Sequence, residues 1–113
     1  MLEVVTPLLR PNGASESHID NISVANYGYL QTSPEYGMKC LLVEHQCSII
    51  QICPAFRAGA TGRFHQEEFQ ILEWYRCEFS LVELMEDFEK LLAYITQRLE
   101  MFGIKRITQI VDR

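Results

Sequence analysis

The sequence predicts an α+β fold in which an antiparallel sheet is flanked by helices, and three observations carry that expectation. Ser48–Phe56 and Glu68–Arg76 are β-prone runs separated by a polar, Gly-containing segment, Ala58–Glu67, which makes them the arms of a long hairpin. Ser33 and Pro34 open a helix expected to run to about Val43, with Ser33 as cap and Pro34 in the first turn. Ser80 and Glu83 form a capping-box pattern, and Leu81, Leu84, Met85, Phe88, Leu91, Leu92, Ile95 and Leu99 then recur at helical spacing.

The remaining elements follow in chain order. Leu2–Val5 is short and apolar and is broken by Pro7 and by Pro11-Asn12-Gly13, so an edge strand followed by a loop is expected. A chain that opens directly on a strand is read as beginning within a fold. Residues 14–26 are polar and loop-like, and Tyr29–Thr32 is a short strand. Glu35 falls near a helix N-terminus, where an anion is favoured electrostatically; it reads equally as a helix-dipole partner or as a ligand contact. The long helix to Met101 would span roughly 30 Å, with its apolar face in the core, Glu86, Asp87, Glu89 and Lys90 on a solvated face, and Gly103 as its stop. The last segment, with Ile104, Ile107, Ile110 and Val111, has an ambiguous period and is assigned no role.

Composition bounds the function. With 113 residues, 48% hydrophobic and 22% charged, the chain fits one globular domain, residues 1–113. A net charge of -5 with scattered basic residues argues against extended RNA contact, so tRNA is not expected as a partner. Lys105, Arg106 and Arg113 cluster at the C-terminus and read as a solvated tail. Cys40, Cys47, Cys53 and Cys77 contain no CxxC pair, and no secretory signal or long apolar run opens the chain, so a reduced cytoplasmic protein without a membrane segment is expected. His18, His45 and His65 are too dispersed to join these cysteines as metal ligands, and no protein-held metal is assigned.

The hairpin loop is the best site candidate. Loops of about ten residues between paired strands are more often binding loops than connectors. This one carries Arg63 and His65 with Arg57 at its base. The planar guanidinium of Arg57 can grip a phosphate or carboxylate at two points, and the rings of His65 and Phe69 could hold a purine. The same three residue types near a loop also arise by chance, so the residues alone leave the nucleotide reading open.

Three separated segments match one family in the right order. LEVVTP resembles the strand end of class II synthetase motif 1, TSPEYGMKCLL resembles the SPE helix of lysyl-tRNA synthetases, and CPAFRAGATGRFHQEEFQILEWY resembles motif 2. The LEWYR ending, the SPEY-x-MK segment and the Gly-Arg-aromatic-His order point, within the class II lysyl-tRNA synthetase family, to the lysine or β-lysine ligases that modify elongation factor P. Ordinary lysyl-tRNA synthetases are the second match. The resemblance covers about residues 2–100 and implies part of a class II catalytic domain with ATP and magnesium as cofactors. It implies that Arg57 contacts the α-phosphate and the amino-acid carboxylate and is the catalytic residue, that Arg63 reaches the outer phosphates, and that His65 and Phe69 pack on adenine. It further implies that Glu35 receives the α-amino group and that Glu73 and Tyr75 face the lysine side chain.

The match has departures. Gly59 stands where motif 2 places a Glu two residues after the Arg; Ala60 and Thr61 also depart, and Gly62-Arg63 resumes the pattern. Motif 3 is not found after the long helix. The implied activity is ATP-dependent formation of lysyl-adenylate with transfer to elongation factor P; the alternatives are an inactive nucleotide- or protein-binding module and a fragment of a lysine-tRNA ligase. A half-sheet with an exposed edge is also expected to self-associate or form a homo-oligomer.

Overall fold

A computed structural model describes residues 1–60 and 62–103; Thr61 and the segment holding Ile104, Ile107, Ile110 and Val111 lie outside them. The chain divides into two compact units, one of Met1–Cys77 and one starting at Glu78.

The first unit is built on the hairpin of β5 (Ile49–Phe56) and β6 (Glu68–Tyr75), which pair antiparallel from Ile49 opposite Tyr75 to Phe56 opposite Glu68. This is the pairing that the two β-prone runs predict. β1 (Leu2–Glu3) lies parallel to β5 and gives the strand order β1-β5-β6, so the expected edge strand forms at an edge.

A second small sheet joins β2 (Leu9–Arg10), β3 (Ser23–Val24) and β4 (Gly28–Leu30) in the order β2-β4-β3, all antiparallel. Only β4 is foreseen in the sequence, because two-residue strands are too short to carry an alternating pattern. The left-handed backbone of Gly28, φ 125°, brings β4 against the carbonyl of Arg10.

Helix α1 (Glu35–His45) starts one residue later than a Ser33 cap would place it, with Pro34 as its N-cap and no side-chain cap bond. It ends at Gln46, whose left-handed φ of 48° lets its N–H donate to Leu42 O. Gly37 brings α1 against Thr6, where a Cβ would meet the Thr6 methyl carbon at 2.9 Å. Met38 of α1 and Ile49, Cys53 and Ala55 of β5 form the buried apolar core. Full burial of Met38 or Ile49 contributes on the order of 1.5–3 kcal/mol each. Gln51 is the buried polar residue on the same face of β5, and its Oε1 accepts from Thr6 Oγ1 at 3.1 Å.

The second unit holds α2 (Leu81–Met101), closed at its start by the predicted capping box: the Ser80 N–H donates to the Glu83 carboxylate at 2.7 Å, and the Glu83 N–H donates to Ser80 Oγ at 3.3 Å. Its end falls where Gly103, φ 74°, predicts. None of the helix's residues is buried by the described residues of its own unit. Helical periodicity defines an apolar face but not what covers it.

A Gly28→Ala substitution tests the close approach at β2 and β4. Its Cβ would lie 2.1 Å from the Arg10 carbonyl oxygen, on a backbone that L side chains rarely adopt. Strain of this kind costs about 1–3 kcal/mol before the clash is relieved. The variant is expected to melt several degrees below wild type, and an unchanged Tm would show that β4 does not lie against Arg10.

Candidate functional site

Alternation along the hairpin decides which side chains share a face. The face of Ile49, Gln51, Cys53 and Ala55 is continued by Tyr75, Glu73, Ile71 and Phe69, their partners across the ladder. Arg57 follows β5 on the same parity. Its guanidinium carbon stands 5.0 Å from the centroid of the Phe69 ring, and its Nε donates to the carbonyl of Thr32 at 3.3 Å. Thr32 and Gln31 are buried, and Gln31 Nε2 donates to Pro54 O at 2.8 Å and to Cys53 Sγ at 3.3 Å. Arg57 therefore projects from a fixed base, and among the described residues its terminal amines meet no acceptor.

The loop after Arg57 is held at several points. The Arg57 N–H donates to Glu67 O at 2.9 Å, the Ala58 N–H to Asp20 O at 2.9 Å, and the His65 N–H to Gly62 O at 3.2 Å. Gly59 takes a left-handed φ of 69°, and its N–H donates to Glu67 Oε1 at 2.9 Å. The guanidinium of Arg63 lies 5.0 Å from the ring centroid of Phe64. Arg57, Arg63, His65 and Phe69 line one cavity of about 390 Å³, joined by Phe64 and Gln66. The structure thus brings together the four residues singled out in and beside the loop. Phe64 and Gln66 are additions; Phe64 is visible in sequence only as the aromatic of the Gly-Arg-aromatic-His run.

Glu73 and Tyr75 lie further along β6, with the Tyr75 hydroxyl donating to Glu73 Oε1 at 2.6 Å. Burial pushes the Tyr75 phenol up, and the hydrogen bond to Glu73 and the charges of Glu73 and Glu35 push it the same way. Glu35, at the start of α1, is ion-paired with Lys39 one turn on. The bond to Glu35 holds the Lys39 ammonium above its ordinary range, and the Glu73 charge adds to it. The three residues predicted to face the amino acid therefore share one electrostatic neighbourhood. It includes Lys39, which sequence reading passed over as part of a helix. Glu35 and Lys39 also line a second cavity, of about 540 Å³, with Arg10, Thr32 and Tyr36.

Among the described residues there is no group of three or more His, Cys, Asp or Glu that could hold a metal ion. All four cysteines are free thiols, and burial pushes that of Cys53 up. No helix among the described residues is long and apolar enough to cross a membrane.

A fold with this hairpin and helix order defines part of an aminoacyl-tRNA synthetase-like catalytic domain. The crystal structure of asparaginyl-tRNA synthetase from Pyrococcus horikoshii complexed with asparaginyl-adenylate superposes with a TM-score of 0.73 at 26% identity, covering 88% of this chain and 24% of that one. The chain is related by sequence to a particular set of such proteins, the elongation factor P–(R)-beta-lysine ligases. It is 38% identical over 104 residues to the ligase of Avibacterium paragallinarum, covering 84% of this chain and 32% of that relative. It is 35% identical over 106 residues to the ligase of Photobacterium profundum, covering 86% and 33%. The chain spans about a third of the length of the curated relatives it matches. No family model matches it.

The Tyr75–Glu73 bond has a spectroscopic consequence. A phenol raised in the fold is neutral there, so its contribution to stability is complete below the ordinary tyrosine value of about 10 and is lost as pH rises through the folded value. In a rapid-mixing ultraviolet titration Tyr75 is expected to give a late phase, above the ordinary tyrosine value of about 10. In Glu73→Gln the late phase should move to lower pH. If it does not move, Glu73 is not the acceptor of the Tyr75 hydroxyl.

Proposed function

We propose that this chain carries the nucleotide- and amino-acid-binding part of an ATP-dependent ligase that activates lysine or β-lysine as the adenylate and passes the lysyl group to elongation factor P. The observation that carries this reading is the single cavity lined by Arg57, Arg63, His65 and Phe69. ATP supplies the adenylyl group: the carboxylate oxygen bonds to the α-phosphorus as the bond to the bridging oxygen breaks and pyrophosphate leaves, and transfer of the lysyl group to the acceptor amine releases AMP. The residues present suit it: Arg57 is a fixed cation for the α-phosphate and the amino-acid carboxylate, Arg63 a cation for the outer phosphates, and His65 and Phe69 flat surfaces for adenine.

The reaction joins a carboxylate to a phosphorus that carries negative charge, and the two anions repel. A guanidinium held between them offsets that repulsion and stabilises the charge that develops. No general base is needed, because the carboxylate is ionised at neutral pH. Glu35 then takes the α-amino group, and Glu73 with Tyr75 faces the side-chain amine of lysine. Magnesium is expected for a reaction of this class, where it would neutralise charge on the phosphates.

The net charge of -5 supports a protein acceptor over extended tRNA contact, and the free thiols support a reduced cytoplasmic setting. The outer edge of β6 has no strand partner among the described residues, which supports self-association through that edge. A second reading, a nucleotide-binding module without chemistry, is favoured by Gly59, which places a bare backbone turn where the resemblance expects a carboxylate.

Calorimetry with ATP tests the first role. Charge-assisted hydrogen bonds to phosphate contribute about 1.5–3 kcal/mol, so Arg57→Ala is expected to weaken ATP binding roughly tenfold or more. Equal affinity in the two proteins would remove the phosphate role from Arg57. Lysine-dependent exchange of pyrophosphate into ATP then separates the ligase from the binding module: exchange above background supports the ligase, and ATP binding without exchange supports the module.

A further inference from the structure

Two of the four thiols are brought to the open end of the hairpin. The β5–β6 ladder keeps one register throughout, from Phe56 opposite Glu68 to Ile49 opposite Tyr75. Continued two residues past Ile49 and Tyr75, that register sets Cys47 opposite Cys77, on the face those two residues share. The arms have not parted there: the Cys77 N–H donates to Ser48 Oγ at 3.0 Å, and the carbonyl of the same serine accepts from the Leu2 N–H at 2.8 Å. Directly opposite residues of an antiparallel pair have Cα atoms about 4.5–5.5 Å apart, a spacing that a disulfide spans.

Both cysteines lie outside the ladder and are half-buried. Gln46 before one and Glu78 after the other take left-handed φ values of 48° and 61°, so the chain turns on the far side of each. Their backbones can therefore adjust to S–S geometry without breaking a ladder bond, and a small reagent can reach them. The other two thiols lack this setting. Cys53 is buried in β5, its Sγ accepting from Gln31 Nε2, and Cys40 lies within α1.

We propose that Cys47 and Cys77 form a reversible disulfide that clamps the base of the hairpin, with a low-molecular-weight disulfide as the oxidant. The thiolate of one cysteine attacks the S–S bond of the oxidant, which forms a mixed disulfide and expels one small thiolate. The thiolate of the second cysteine then attacks the protein sulfur, forming the Cys47–Cys77 bond and expelling the other small thiolate. Two electrons pass to the oxidant, and the two protons end on the released thiols. The bond closes a covalent loop around both arms and the binding loop between them. It restricts the unfolded chain and holds the register on which the placing of Phe69, Glu73 and Tyr75 depends. In a reducing setting such a bond is transient and records exposure to oxidant. The inference stands on the fold and does not need the ligase reading.

Oxidation of the reduced full chain with glutathione disulfide, followed by alkylation and peptide mapping by mass spectrometry, tests the pairing. A link between the Cys47 and Cys77 peptides of one chain is expected, with Cys40 and Cys53 alkylated and with full reversal by dithiothreitol. Cys47→Ser and Cys77→Ser should each stop at a glutathione adduct on the cysteine left behind. Oxidised wild type should melt several degrees above the reduced protein, whereas oxidant should not raise the Tm of either serine variant. Wild type that stays reduced, stops at glutathione adducts, links another pair or links only between chains overturns the pairing. A Cys47–Cys77 bond that forms but leaves Tm unchanged or lowered overturns the clamp. Both decisive readouts come from wild type, so a serine variant that does not fold leaves the test intact.

Discussion

The register of β5 against β6 is the constraint on which the proposed chemistry depends. Side chains alternate faces along a strand, so a slip of one residue in one arm would separate Phe69, Glu73 and Tyr75 from the face that Arg57 continues. Several bonds outside the ladder hold against such a slip. The Phe56 N–H donates to Gln31 O at 2.9 Å, the Ala58 N–H to Asp20 O, and the Val4 N–H to Ile50 O at 3.0 Å. They come from three separate stretches of the chain. The hairpin is therefore positioned by segments that precede it in sequence, and those same segments carry Arg10, Thr32 and Glu35.

The layer between the hairpin and α1 is unusual in being partly polar. Thr6, Gln31, Thr32 and Gln51 are all buried beside Met38 and Ile49. Apolar contacts are non-directional, whereas the Thr6–Gln51 bond and the two bonds donated by Gln31 fix angles as well as distances. Gln31 also serves Pro54, a strand residue with no N–H of its own, by donating to its carbonyl. Loss of one partner from such a pair leaves a buried group unsatisfied, at a cost of about 1–3 kcal/mol. This layer spends stability on orientation, which a site that works by placing charges requires.

What was legible in the sequence follows from the length of the signal. The hairpin arms, the capping box at Ser80 and the stop at Gly103 are announced by runs of side chains with one period or by residues with one strong conformational use. The small sheet of β2, β3 and β4 was not legible, because Leu9–Arg10 and Ser23–Val24 are set by tertiary pairing and Gly28 rather than by pattern. The cap of α1 fell at Pro34 instead of Ser33, since Ser33 makes no cap bond there. In the site, Arg57, Arg63, His65 and Phe69 were visible as one loop with its flanks. Arg10 and Lys39 were not, because nothing local in either stretch says that the fold brings them to one wall.

The cations of the first unit show how an acidic chain keeps sites for anions. With 15 acidic residues against 10 basic ones, carboxylates are in ample supply to pair with every arginine. Yet Arg10, Arg57 and Arg63 lie over the rings of Tyr36, Phe69 and Phe64, and none of the three is paired with a carboxylate among the described residues. A ring face attracts a guanidinium without occupying its in-plane N–H donors. A carboxylate in the same place would fix the side chain equally well, but an incoming phosphate would then have to displace it. Gly59 and Glu67 fit this arrangement. The carboxylate of Glu67, whose main-chain carbonyl accepts from the Arg57 N–H, itself accepts from the Gly59 N–H and so is bound to main chain instead of to the arginine. Stacking the cations and tying the nearest acid to backbone leaves positive charge open to solvent in a protein whose overall charge is negative, and that local excess is what a polyphosphate or a carboxylate would meet.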